Sequence, residues 1–94
     1  MLESKIQSKI LTYLRTVTGC WAVKVMECNQ NGCPDILVCL QGRFIAFEVK
    51  SDEPGSKLSK IQMAQGRAIM QAGGKWHVVD NLDLVKEIIN DETV

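Results

Sequence analysis

Between Pro34 and Lys50 the chain reads P-D-I-L-V-C-L-Q-G-R-F-I-A-F-E-V-K. Two short runs rich in β-branched and aromatic residues flank the dipeptide Gln41-Gly42, which is strand, turn, strand. If the turn has two residues, Leu40 pairs with Arg43. Counting back along both strands then sets Asp35 directly opposite Glu48, with Cβ atoms about 4.5–5.5 Å apart. A longer turn or a bulge would slip that register. Glu48 and Lys50 are two apart and share one face of their strand, while Val49 points to the other. Three charged residues therefore meet at the open end of a hairpin whose other residues are mostly apolar.

The rest of the chain arranges itself around this hairpin. Residues 3 to about 18 carry Ile6, Ile10, Leu14 and Val17 at helical spacing, with Gly19 as a stop. W-A-V-K-V-M-E (21–27) alternates like a strand, and for Trp21, Val23 and Val25 a place in the core is favoured over one in a subunit interface. N-Q-N-G (29–32) is turn chemistry. Pro34 opens the second strand (34–40), a position where proline is tolerated. The third strand covers 43–50 and S-D-E-P-G-S (51–56) is a loop. A second helix spans 57–72 and ends at Gly73-Gly74. W-H-V-V-D (76–80) is a fourth strand. Asp80 or Asn81 caps a last helix over 82–90, followed by a polar, frayed tail, D-E-T-V. The order is α-β-β-β-α-β-α. Three strands joined by short turns form a meander, and the strand-helix-strand crossover adds a parallel neighbour. The expectation is an α/β fold, one mixed four-stranded sheet flanked by helices, in a single domain over 1–94.

Composition narrows the function classes. The 94 residues are 46% apolar and 23% charged with a formal net charge of zero, as in ordinary globular domains. The basic excess common in nucleic-acid-binding proteins is missing, so a phosphate-binding patch has to be local or rely on a cation. No apolar run approaches the roughly 20 residues of a membrane span, and the N-terminus lacks a signal-peptide core. The expectation is an intracellular protein with no membrane partner. Cys20, Cys28, Cys33 and Cys39 form no C-x-x-C pair and there is one histidine, His77, which argues against structural zinc. Free thiols are expected, with Cys39 a small buried hydrophobe. His77 is given no role.

Like charges directly opposite each other destabilise a sheet. A bound cation, an extra proton or a nearby base relieves them. Two carboxylates and a strand-end carbonyl suit Mg²⁺ or Mn²⁺, which prefer oxygen ligands and keep several waters. With Lys50 alongside to orient or deprotonate a water, these are the parts of metal-assisted phosphodiester hydrolysis. The competing reading is a solvated salt-bridge cluster at a strand end. Two residues bear on the choice. Glu3 lies within roughly 20° of Ile10 and Leu14 around the first helix. It is an acid on the core-facing stripe, although an acid in a first turn also complements the helix dipole. Gln62 sits among Leu58, Ile61, Met63, Ile69 and Met70 on the second helix and needs hydrogen-bond partners. A carboxylate, a water, a phosphate or a backbone carbonyl would each serve. Lys57 and Lys60 follow the loop after Lys50 and could reach a phosphate at the rim. Arg67 is read as solvated.

P-D, then twelve residues, then E-V-K resembles the P-D…(D/E)-x-K signature of the restriction-endonuclease-like nucleases, and the element order matches their core. More narrowly, F-E-V-K-S…K-L-S-K-I-Q…A-G-G is similar to the VRR-NUC (virus-type replication-repair nuclease) family. Ser59 and Gln62 fit its L-S-x-x-Q, Glu3 its early-helix acid, and the resemblance covers nearly the whole chain. Lys57 stands where that family often has arginine, and Met63-Ala64 where it often has an aromatic residue. The resemblance implies Mg²⁺- or Mn²⁺-dependent DNA cleavage. Asp35, Glu48 and the Val49 carbonyl would hold the metal, with Glu3 binding directly or through water. Lys50 would position the attacking water and stabilise charge on the phosphate, and Gln62 would orient that water or a metal ligand. Lys57, Ser59 and Lys60 would contact DNA. It further implies a bacterial or phage-infected cytoplasm, branched substrates such as four-way junctions, and a homodimer, since resolving a junction takes two symmetric cuts and a C2 dimer supplies two sites. The rivals are a nuclease of the same core with a sequence-specific or exonucleolytic habit, and a non-catalytic DNA- or protein-binding module.

Overall fold

The computed structural model of the chain describes residues 1–93. The elements are α1 (Glu3–Leu14), β1 (Cys20–Lys24), β2 (Ile36–Leu40), β3 (Arg43–Val49), α2 (Lys60–Gln71), β4 (Lys75–Val79) and α3 (Leu82–Glu92). The sheet runs β1-β2-β3-β4. The first two pairings are antiparallel and β3–β4 is parallel, as the crossover requires. Gln41 and Gly42 both have positive φ, 51° and 82°. That pair of left-handed residues is the signature of the two-residue type I′ hairpin turn, whose twist matches the strands it joins. The resulting register pairs Leu40 with Arg43 and Ile36 with Phe47, as counted from the turn, and Asp35, one residue beyond the ladder, lies beside Glu48.

One face of the sheet makes the core. Ile36, Val38 and Leu40 of β2, Ile45, Phe47 and Val49 of β3, and Val79 of β4 are buried against Ile6, Ile10, Leu11 and Leu14 of α1 and Val85 and Ile89 of α3. The other face is covered unevenly. There α2 lies over β4, where a Cβ on Gly66 would come within 2.3 Å of the Trp76 ring. Glycine at that point lets helix and strand approach. The β1–β2 half of this face stays open. Trp21 is 59% exposed and Phe44 39%, and Cys39, paired with both across the ladders, is exposed between them. The expectations that Trp21 belongs to the core and that Cys39 is buried are corrected: alternation identified their face, but α2 is too narrow to cover it.

Element ends also shift. α1 stops at Leu14, where a β-branched run begins and Thr16 Oγ1 donates to the Tyr13 carbonyl. β1 ends at Lys24 rather than 27, although Val25 N still donates to the Asp35 carbonyl. α2 begins at Lys60, not 57, because Ser59 caps it. Its Ile61 and Met70 are about half exposed rather than core. α3, capped by Asn81, continues through Glu92, so Asp91 and Glu92 of the expected frayed tail are helical, while Val94 lies outside the described residues.

Cys28 and Cys33 are joined in a disulfide, against the expectation of free thiols; only Cys20 and Cys39 are free. The turn 29–32 reverses the chain and brings their Cα atoms to 6.6 Å, within bridging range. Closing so short a loop removes about 2 kcal/mol of unfolded-state entropy. Reduction, or the C28S/C33S variant, is therefore expected to lower the unfolding free energy by about that amount in urea. A thiol titration of the denatured, unreduced protein that finds all four cysteines reactive would remove the disulfide and this expectation together.

Candidate active site

Asp35 stands one residue before β2 and Lys50 one residue after β3, so the hairpin's open end holds both. Each is fixed by backbone hydrogen bonds. Asp35 N donates to the Phe47 carbonyl at 3.1 Å and Lys50 N to the Val79 carbonyl at 2.9 Å. The Asp35 side chain is oriented too, because its Oδ2 accepts from Val49 N at 2.7 Å. Glu48 lies between them and is 1% exposed. Its Oε1 accepts from Gln62 Nε2 at 2.8 Å and faces Lys50 Nζ at 3.7 Å. Its Oε2 is buried with no hydrogen-bond donor.

A carboxylate oxygen left so is costly, because burial without a partner forfeits its hydration. Asp35 beside it offers another acid, so a hydrogen bond between the two needs a shared proton. Burial first, then the Asp35 charge and that shared hydrogen bond, push the Glu48 carboxyl up to about 8; Lys50 pulls it down and Glu3 adds a smaller upward push. Carboxyls raised in this way cluster at functional sites, and structural ion-pair networks produce them too.

Gln62 explains how the site is assembled. Ser59 Oγ accepts from Gln62 N at 3.1 Å, and Gln62 Oε1 accepts from Ser59 N at 2.9 Å. This is a capping box, two helix-start donors satisfied reciprocally. It uses the Gln62 oxygen and leaves the amide nitrogen to reach Glu48. Of the four partners open to Gln62 from the sequence, the carboxylate is the one it takes. The spacing L-S-x-x-Q therefore starts α2 and holds Glu48 with the same residue.

Glu3 comes to the site from α1. It is half-buried, its Oε2 accepts a hydrogen bond from Ser56 Oγ, and its charge is felt at Glu48. Ser56 was invisible from the sequence, where 51–56 reads only as a loop. A cleft of about 360 Å³ opens beside Glu3, lined by Leu2, Ser51, Pro54 and Ser56 among others. Lys57 and Lys60 are exposed at the loop and first turn leading into α2. His77 pairs with Phe47 on the opposite face of the sheet, and burial lowers its pKa; it stands apart from these residues.

A solved VRR_NUC domain structure superposes on the chain with a TM-score of 0.78, over 96% of each chain at 23% identity. The fold is that of a VRR-NUC domain. No protein-family model and no curated protein matches the sequence. On the VRR-NUC fold, Asp35, Glu48, Lys50 and Gln62 meet at one place, with Glu3 adjacent through Ser56. Among the described residues no three acids, histidines or cysteines converge tightly enough to hold a metal ion by themselves. What is present is a pair of neighbouring carboxylates, Asp35 and Glu48, of which Glu48 Oε2 has no hydrogen-bond donor. That donor set fits a hard divalent cation that retains water on its remaining positions, as Mg²⁺ does with one or two carboxylates.

Proposed function

We propose that the protein is a Mg²⁺- or Mn²⁺-dependent DNA endonuclease, selective for branched DNA such as four-way junctions. The observation that carries the reading is Glu48: a carboxylate 1% exposed, one oxygen held by Gln62 and faced by Lys50, the other without a donor. Asp35 and Glu48, with the Val49 carbonyl, would hold the cation, and Glu3 would hold it directly or through water. A bound divalent ion would supply Lewis acidity at the phosphate and lower the pKa of a water that it holds.

The residues of the chain do the rest. Val49 N keeps the Asp35 carboxylate in place. Gln62 fixes Glu48 Oε1, which leaves Oε2, without a donor of its own, free to serve as a ligand. Lys50, 15% exposed, carries a cation that can orient the attacking water and balance negative charge growing on the phosphate. Ser59 Oγ accepts within the capping box, so its proton remains a donor for a phosphate oxygen. Lys57 and Lys60 supply positive charge at the rim. The uncovered apolar row Trp21, Cys39 and Phe44 suits a second copy, which would bring two sites to one junction.

The test is cleavage of single-stranded, duplex, flapped and four-way-junction DNA in Mn²⁺ or Mg²⁺. We expect metal-dependent cutting that is fastest on branched substrates, with paired symmetric nicks on the junction. Failure to cut any of them while Mn²⁺ still binds would turn the reading toward a non-catalytic binding module, which the zero net charge also suits.

A further inference from the structure

We propose that Ser56 is a positioning residue of this site, setting where the Glu3 carboxylate stands relative to the Asp35–Glu48 pair. The inference rests on the metal-site reading above. A serine hydroxyl has one proton to give. Here the oxygen accepts from Ser51 N at 2.8 Å, and the proton goes to Glu3 Oε2. Ser51 directly follows Lys50, so one hydroxyl ties the end of β3 to the first residue of α1. The loop between them is closed on itself, with Glu53 N donating to Ser51 Oγ at 3.2 Å and Ser56 N to the Glu53 carbonyl at 3.1 Å. Both ends of the bridge are therefore fixed.

Without that bridge Glu3 has no comparable anchor. It is the first residue of its helix, and the cleft beside it gives its side chain room to swing toward solvent. Outer partners that orient metal-binding carboxylates typically contribute about 10–100-fold in affinity. Glu3 sits outside the tight pair, so the smaller end applies, about 10-fold.

The experiment is a Mn²⁺ titration followed by the electron paramagnetic resonance signal of the free ion, with thermal unfolding in EDTA alongside. The proteins are wild type, S56A, S56T, E3Q, E3Q/S56A and, as control, D35N. We expect S56A to bind Mn²⁺ about 10-fold more weakly, S56T to retain wild-type affinity, and E3Q/S56A to bind no worse than E3Q, because Ser56 acts through Glu3. If D35N weakens Mn²⁺ binding but S56A does not, the metal site stands and the role of Ser56 falls, even if S56A melts earlier in EDTA. Additive losses in S56A and E3Q also overturn it. If D35N leaves Mn²⁺ affinity unchanged, the metal site itself is wrong and the inference goes with it.

Discussion

Replacing Lys50 with alanine is expected to slow DNA cleavage by about 10²–10³-fold, the usual loss when one preorganised group that stabilises transition-state charge is removed. Mn²⁺ affinity should stay the same or tighten. The Lys50 ammonium stands 3.7 Å from Glu48 Oε1, where it attracts the carboxylate but also repels any cation bound beside it. The two readouts thus separate a role in chemistry from a role in metal binding. Cleavage rates and Mn²⁺ titration on the same K50A preparation decide it. Undiminished cleavage would remove Lys50 from the chemistry, and a parallel loss of affinity would make it structural support for the acids.

The second expectation concerns the metal-free protein. Glu48 has its carboxyl raised from 4.5 to about 8, so the folded state holds a proton that the unfolded state has released. That difference costs nothing below about pH 4.5. It erodes stability as pH rises through the window up to about 8, and is flat above it. Glu48→Gln keeps the shape of the protonated acid and removes the titration. In EDTA the variant should be more stable than wild type, by about 1 kcal/mol near pH 5 and about 4 kcal/mol at pH 7.5, since each pKa unit is worth about 1.36 kcal/mol. Mn²⁺ should stabilise wild type by mass action and help the variant much less. Urea unfolding at a series of pH values measures the difference. A gap that stays constant between pH 5 and 8 would mean that Glu48 is not the group holding the proton.

Much of this arrangement was legible because a two-residue turn makes register a matter of counting. Once Gln41-Gly42 is the turn, Asp35 and Glu48 must face each other, and parity puts Lys50 on the same side. Charge inside an apolar run was the visible signal, and Gln62 gave a second one by sitting on a helix face that otherwise looked apolar. What the sequence could not display was coverage. Alternation says that Trp21 and Cys39 share a face with Glu48, but not that α2 would reach only the β3–β4 half of it. Ile61 and Met70 misled for the same reason, since Gly66 is the one residue of their helix that is fully buried. Ser56 escaped because its partners are Ser51 and Glu3. A contact to a residue 53 positions away leaves no local pattern. The Cys28–Cys33 bridge escaped because spacing alone does not tell whether a turn will close.

The parallel strand β4 has a bearing on how such a protein is made. Glu3, Asp35, Glu48, Lys50 and Gln62 are all synthesised before residue 75, yet Lys50 N is held by the Val79 carbonyl and α2 leans on Trp76. A nascent chain still short of β4 carries all five residues and lacks the strand that holds the Lys50 backbone and supports α2. On the proposed function, a growing polypeptide should not cut nearby DNA until this strand has left the ribosome and docked.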